Sequence, residues 1–320
     1  MYIDRKMSNS NPLVSYVVAT YNRSSELERA IKSILKQRYG NFEIIVISNS
    51  TSGPEEKFVE DGEFDLEKIR YVHKPVRMGV INARNLGYQL ADGDYIVTLD
   101  DDAILSDPRL IADIVDDFEQ DSRLGIAALH VVNAETFETE FPLPVSELEK
   151  RVPFFRAQMR PPDDHPEISS KTTLFTGCGN IIRKELFENV GYYPELFDYG
   201  TEELDLCLRS IDFGYDIRYY PNHVVTHFED PKGRFTDKKV LQENFTNRIA
   251  LAIRNLPARL ILLSLFVWTG QLLYRSRFDI QLLMNSVFEL ISDLPKLIRQ
   301  RNPVDKKTIE LVNSMDGRVY

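Results

Sequence analysis

Three adjacent aspartates, Asp100, Asp101 and Asp102, follow the apolar run at 95–99, and a second acidic pair, Glu202 and Glu203, opens a later amphipathic segment. Adjacent carboxylates repel one another, and burying them is costly unless a cation or protons compensate. A divalent ion carrying a phosphate would do so, and oxygen ligands suit magnesium or manganese. A carboxylate in a partly apolar cleft, as at Glu203, can take a proton from a hydroxyl. Blander readings of the same residues stay open. The aspartate run also fits a solvated acidic loop or a helix cap, and acids after a Thr201 cap suit a helix dipole. Arg84 reads as a ligand contact or as a surface ion pair. His227, closing the run at 224–227, is either structural or the imidazole that completes a metal site short of carboxylates.

The elements that must position these groups are legible in the pattern. Strands are expected at 13–19, 42–47, 69–73 and 95–99, with helices at 26–37 and 80–90 between them. Leu27, Ala30, Ile31, Ile34 and Leu35 fall at helical spacing. Strands alternating with helices imply right-handed crossovers and a mostly parallel sheet, whose carboxyl edge is where such folds bind ligands. The aspartate triplet sits on that edge. So do Thr20, Tyr21, Asn22 and Arg23 after the first strand, which with a following helix N-terminus suit an anion or nucleotide, and the polar turn at 48–52 after the second. A helix near 108–119 and a strand at 125–132 follow. Prolines then break the pattern over 133–170, which reads as an elaborated loop region shaping a pocket. Regular structure resumes at 173–182, with a helix after Arg183, a helix at 202–213 and short strands at 216–220 and 224–228.

The chain has 320 residues and 43% hydrophobic content, enough for a large core; its net charge of -10 argues against nucleic acid as a partner. Cys178 and Cys207 form no zinc spacing and read as free thiols in a reducing compartment. Residues 1–12 read as a loose polar arm. Beyond 238 the chain is helical. The apolar stretch at 260–268 falls short of the ~20 residues of a membrane-spanning helix. Leu283, Val287, Leu290, Ile291 and Leu294 line one face of 280–298, and arginines flank both segments. A helical subdomain covering the core and a monotopic anchor on a membrane surface both fit.

Taken in order, Thr20-Tyr-Asn-Arg23, Ala83-Arg-Asn-Leu-Gly87, Leu99-Asp-Asp-Asp102, Gly177-Cys-Gly-Asn-Ile-Ile-Arg183, Glu202-Glu-Leu-Asp-Leu206 and the late His227 resemble the family 2 glycosyltransferases with the GT-A fold. The likeness covers about 13–230 and is strongest to bacterial and archaeal enzymes of cell-surface glycans, rhamnosyltransferase-like members included. It implies a Rossmann-like, mostly parallel central sheet flanked by helices, with a C-terminal helical extension. It divides the chain into a glycosyltransferase domain at 13–235 (a nucleotide half at 13–105 and an acceptor half at 125–235) and a helical region at 236–320. Asp100 and Asp102 become the ends of an Asp-x-Asp motif. Asp102, with Asp100 and His227, would hold Mn2+ or Mg2+. Thr20, Tyr21, Asn22, Arg23, Asn49, Arg84, Asp100 and Asp101 fall on the nucleotide-sugar side. Glu203 takes the place of the catalytic aspartate, with Glu202 before it. Ser48 and Asn49 stand where the family's base-contacting aspartate is expected, and Ser50 replaces its usual glycine.

The resemblance therefore implies inverting, metal-dependent transfer from a nucleotide diphosphate sugar to a glycan or lipid-linked acceptor. The enzyme would be cytoplasmic, at the inner face of the cell membrane, with peripheral contact through 258–298. A glycoside hydrolase using paired carboxylates and a non-catalytic sugar-nucleotide scaffold are the competing readings. The hydrolase accounts for Glu202 and Glu203 but not for the aspartate triplet.

Overall fold

The computed structural model describes residues 11–50, 66–76, 78–141, 169–228, 236–315 and 319. Most of the expected N-terminal arm, the proline-rich stretch at 142–168 and the end of the polar turn at 51–52 lie outside the described residues.

Strand β1 (Val14–Thr20) lies between β2 (Phe42–Ser48) and β4 (Tyr95–Asp100), parallel to both, and β3 (Ile69–His73) extends the parallel group beyond β2. Helix α1 (Ser24–Leu35) makes the first crossover, with Leu27, Ala30, Ile31 and Ile34 fully buried, the face the spacing requires. Helix α2 (Gly79–Leu90) docks on β1 so closely that a Cβ on Gly87 would stand 2.3 Å from Val17 Cγ1; only glycine permits that approach. Because β1 is central and the chain winds outward from it on both sides, the carboxyl ends of β1 and β4 meet at a topological switch point, where the connections leave a crevice. Register carries the chemistry there: Thr20 pairs with Ser48, and Ala19 with Asp100.

Parallel pairing does not continue through the whole sheet. Its order is β3-β2-β1-β4-β9-β6-β10-β5, with β7 (Thr139–Phe141) on β6 and β8 (Ser170–Thr172) on β10. The connector α3 (Leu110–Gln120) leads into β6 (Leu124–Asn133), but β9 (Asn180–Arg183) inserts antiparallel between β4 and β6. The sheet is thus parallel where strand and helix alternate and mixed beyond. The two short strands expected at 216–228 are one bent strand, β10 (Asp216–His227), whose register on β6 shifts between Tyr220 and Val224. Pro221 falls in that gap and has no N–H to give a ladder. Past the bend, β10 pairs antiparallel with β5 (Ala103–Leu105), which brings His227 opposite Ala103, next to the aspartates.

After α4 (Lys184–Val190) and α5 (Glu202–Phe213) the described residues form α6 (Asp237–Asn255), α7 (Ala258–Arg275), α8 (Ile280–Arg299) and α9 (Lys306–Ser314). Phe245, Ile249, Val267, Trp268, Leu272 and Leu282 form a small second core among α6, α7 and α8. The opposite faces of α7 and α8 are apolar too, and they point outward: Phe266 is 73% exposed and Phe288 76%. Among the described residues, no helix is long and apolar enough to cross a membrane.

Candidate active site

Each strand end contributes polar groups to the crevice. After β1 the chain turns through Asn22 at φ +56°, a left-handed conformation that asparagine tolerates, and the Asn22 N–H donates to Ser50 Oγ at 2.8 Å. Arg23, not Ser24 or Ser25, occupies the cap position of α1, without a side-chain cap bond. After β2, the Asn49 N–H donates to the Thr20 carbonyl at 3.0 Å, while the buried Asn49 Oδ1 has no partner. Thr20 and Asn49 are buried, and Tyr21 is half-buried beside them in sequence.

The aspartates after β4 are neither a solvated loop nor a helix cap: Asp101 and Asp102 are buried. Arg23 Nη1 donates to Asp101 Oδ1 and to Asp102 Oδ2, both at 2.9 Å. Burial pushes the Asp101 carboxyl up to about 7, against the pull of Arg23 and with the push of Asp102. Asp102 Oδ1 lies 3.2 Å from His227 Nε2, and Glu140 Oε2 lies 2.7 Å from His227 Nδ1. Burial alone would lower the His227 imidazole, but the hydrogen bonds to Asp102 and Glu140 overcome it and hold it up at about 10. Asp100 faces the other way, accepting from Arg84 Nη2 at 2.6 Å. Asp100, Cys178 and His227 each bring one ligating atom into a group whose members lie within 4.8 Å of one another. Burial, with the charges of Asp100 and Asp102, keeps the Cys178 thiol protonated. Asp100 and His227 of this group, with Asp102 bonded to the same imidazole, are donors that would suit an oxygen-preferring divalent ion such as manganese or magnesium, while the protonated Cys178 thiol adds no thiolate to the set.

Arg84 links this cluster to the acids of α5. It is buried, yet the charge of Asp100 above all holds it firmly charged against that burial. Its Nη1 donates to Glu202 Oε1 at 3.4 Å. Glu203 comes close as well: a Cβ on Gly177 would meet Arg84 Nη1 at 2.3 Å and Glu203 Oε1 at 2.6 Å. Glycine at 177 therefore keeps open the space where the arginine and the glutamate converge. Burial, and then the charge of Glu203, push Glu202 well above the usual carboxylate range. Glu202 thus keeps its proton beside the half-buried Glu203. Thr201 is not the side-chain cap of α5; it sits at φ +76° and makes no cap bond.

Sequence reasoning missed several members. Glu140 reaches His227 across 87 residues, and Cys178, read as a free thiol within the glycine motif, brings its sulfur beside Asp100 and His227. Asp205, fully buried, accepts from Arg209, Arg254 and Asn255, the last two at 2.6 Å each, and so ties α5 to α6. Arg183, at the end of the glycine motif, is a structural clamp. It donates to the carbonyls of Phe118 and Leu124.

Known proteins share the family and the fold. A family profile described as Glycosyl transferase family 2 matches residues 15–191, more than half of the chain. The poly-beta-1,6-N-acetyl-D-glucosamine synthase of Staphylococcus epidermidis is 24% identical over 208 residues, 65% of this chain and 48% of that protein. The GalNAc(5)-diNAcBac-PP-undecaprenol beta-1,3-glucosyltransferase of Campylobacter jejuni is 30% identical over 196 residues, 60% of this chain and 57% of that one. The chain thus spans about half the length of these curated relatives. Among solved structures, the mannosyltransferase PcManGT of Pyrobaculum calidifontis, in complex with GDP-Man and Mn2+, superposes with a TM-score of 0.56 at 18% identity. That match covers 96% of this chain and 80% of that one, and it shows a shared fold.

Proposed function

Because the chain belongs to glycosyl transferase family 2, we propose that it moves a sugar, with inversion, from a nucleotide diphosphate sugar to an acceptor hydroxyl. The observation that carries this reading is the convergence of three strand ends with α5: Asp102 against His227, and Asp100 joined through Arg84 to Glu202 and Glu203. In this reading Asp102 and His227, with Asp100 beside them, would hold manganese or magnesium, and the ion would supply positive charge to the diphosphate leaving group.

The chain's own residues do the rest. Thr20, Tyr21, Asn22, Arg23 and Asn49 form the nucleotide side, where the unpartnered Asn49 Oδ1 is an acceptor suited to a nucleobase N–H. Arg84 fixes Asp100 at the sugar side, and Asp101 stays bound to Arg23. Glu203 takes the acceptor proton as the hydroxyl attacks the far face of the sugar. Glu202, neutral beside it, does not compete for that proton. Residues 13–235 act as the catalytic domain and 236–320 as the helical region behind it.

The acceptor we propose is a glycan or lipid-linked sugar of cell-surface assembly; the Campylobacter relative is named for an acceptor of the lipid-linked kind, GalNAc(5)-diNAcBac-PP-undecaprenol. The enzyme would work from the cytoplasmic side of the cell membrane, with residues 258–298 in peripheral contact. In support, Leu262, Leu265 and Phe266 on α7, and Ile280, Met284, Val287, Phe288 and Ile291 on α8, recur at helical spacing on outward faces. The hydrolase reading loses ground. Glu202 and Glu203 are neighbours on one helical turn, whereas hydrolysis places its carboxylates on opposite sides of the scissile bond. A thermal-shift panel of nucleotide sugars with and without manganese tests the proposal. A metal-dependent rise for one donor supports it, and no rise for any donor refutes it.

A further inference from the structure

Arg248, in the middle of α6, is a half-buried cation. Its Nε and Nη1 are both sealed from solvent and make no hydrogen bond. Its guanidinium lies over the Trp268 ring of α7, 4.9 Å from the centroid. Trp268 Nε1 and Ser264 Oγ, one helical turn apart on α7, are likewise buried without partners. Asn247, next to Arg248 in α6, donates to the carbonyls of Tyr199 and Gly200 just before α5, and Asn244, one turn before Arg248 on the same face, has its Oδ1 3.8 Å from where a Cβ on Gly200 would stand, so this group of unused donors stands on the Glu203 side of the cleft.

Unpaired buried donors on this scale are uncommon, because each forfeits its hydrogen bonds with water and gains nothing in return. A guanidinium is the most costly of them, since it cannot shed its charge at ordinary pH. The aromatic face of Trp268 offsets part of that cost and fixes the plane of the guanidinium, while leaving its N–H groups unspent. A planar, permanently charged donor held in this way is matched to an oxyanion, above all to phosphate. The acid cluster on the other side of Arg84 has its own cations in Arg23 and Arg84, so Arg248 is not needed to neutralise it.

We propose that Arg248, backed by Trp268, is an oxyanion-binding residue on the Glu203 side of the cleft that seats a phosphate group of one of the reacting partners. The inference rests on the reading of Glu203 as the residue that meets the acceptor. Two sources share this chemistry: a phosphate carried by the acceptor near its attacking hydroxyl, and the diphosphate of the departing nucleotide.

Arg248→Met keeps the stem against Trp268 and removes the charge; Arg248→Lys keeps the charge and loses the planar donor array. Both variants and the wild type are titrated calorimetrically with UDP and with GDP in the presence of Mg2+. Inorganic phosphate is then titrated at fixed ionic strength, alone and with the nucleotide site saturated. If the phosphate belongs to the acceptor, Arg248→Met weakens inorganic phosphate by about tenfold or more and leaves the nucleotides unchanged. If it belongs to the nucleotide, the nucleotide affinity falls by that factor instead. In either case Arg248→Lys retains part of the binding. A melting temperature of Arg248→Met equal to or above that of the wild type is also expected, because an unpaired buried charge has been removed. Unchanged affinities for nucleotide and phosphate in Arg248→Met, or a fall of more than about 5 °C in its melting temperature, overturn the proposal. Nucleotide binding by the wild type reports separately on the donor-site reading, which survives if only the Arg248 effects are missing.

Discussion

The crevice at the ends of β1 and β4 and the outer faces of α7 and α8 are opposites. In the first, charge has been taken out of water: Asp101, Asp102, Arg84 and Glu202 are all nearly inaccessible, and each meets a counter-charge or retains a proton. In the second, phenylalanine, leucine and isoleucine side chains stand in water while Leu99 and Ile96, beneath the crevice, are fully buried. Neither arrangement favours the stability of the isolated chain, since buried charge and exposed apolar surface both cost free energy. In the proposed function each is offset by a ligand, polar and phosphate-bearing at the crevice and apolar at the helices. Asp205 is the joint between them, holding Arg254 and Asn255 of α6 to the first turns of α5.

Cutting that joint has the largest expected effect. Asp205→Ala leaves Arg254 buried without its carboxylate and should destabilise the protein by ~3–5 kcal/mol, the usual cost of breaking a buried ion pair from one side. Denaturant unfolding monitored at Trp268 reads this directly. A loss under about 1 kcal/mol would mean that the two regions are not coupled through Asp205.

The next perturbation separates the regions. Phe266→Ser combined with Phe288→Ser should weaken binding to anionic vesicles by about 100-fold or more, since each buried phenyl contributes ~1.5–3 kcal/mol. Unfolding stability should change by no more than about 0.5 kcal/mol, as for ordinary surface positions. Flotation with vesicles gives the first quantity. Equal flotation of variant and wild type would remove the membrane from the comparison.

A smaller effect sharpens the crevice itself. His227 is held at about 10 in the folded protein against 6.5 as a free side chain. Its bonds to Asp102 and Glu140 therefore stabilise the metal-free protein fully below pH 6.5, and this contribution is lost as pH rises through about 10. The stability gap between wild type and His227→Gln should narrow over that window. Metal affinity should climb over the same window, because the proton must leave before the imidazole can ligate. A gap that widens with pH would show that His227 is not the charged partner of Asp102.

The readable and unreadable parts of the molecule divide along physical lines. Strand β3 and helix α5 have the bounds that the periodicity predicts, because a local pattern of burial determines each. The aspartates, Arg84 and Glu203 stood out because catalytic residue types at strand ends and helix starts are conspicuous in sequence. Their partners were not readable. Arg23 reaches Asp101 and Asp102 across 78 and 79 residues, and Glu140 finds His227 only because β7 and β10 both pair with β6. The unpaired state of Arg248 and the outward orientation of Phe266 depend on how α6, α7 and α8 pack. An apolar run fixes which residues are greasy but not which of them the neighbouring helices will cover.

The central claim is that the buried acids of the crevice form a metal-dependent site for a nucleoside diphosphate. Calorimetric titration of UDP, GDP and dTDP into wild type and Asp102→Asn, with Mn2+ and with a chelator, tests it most directly. The account predicts that at least one nucleotide binds the wild type and loses about tenfold or more in affinity when the metal is chelated, and that Asp102→Asn abolishes this metal dependence. Undiminished metal-dependent binding in a folded Asp102→Asn variant would contradict it.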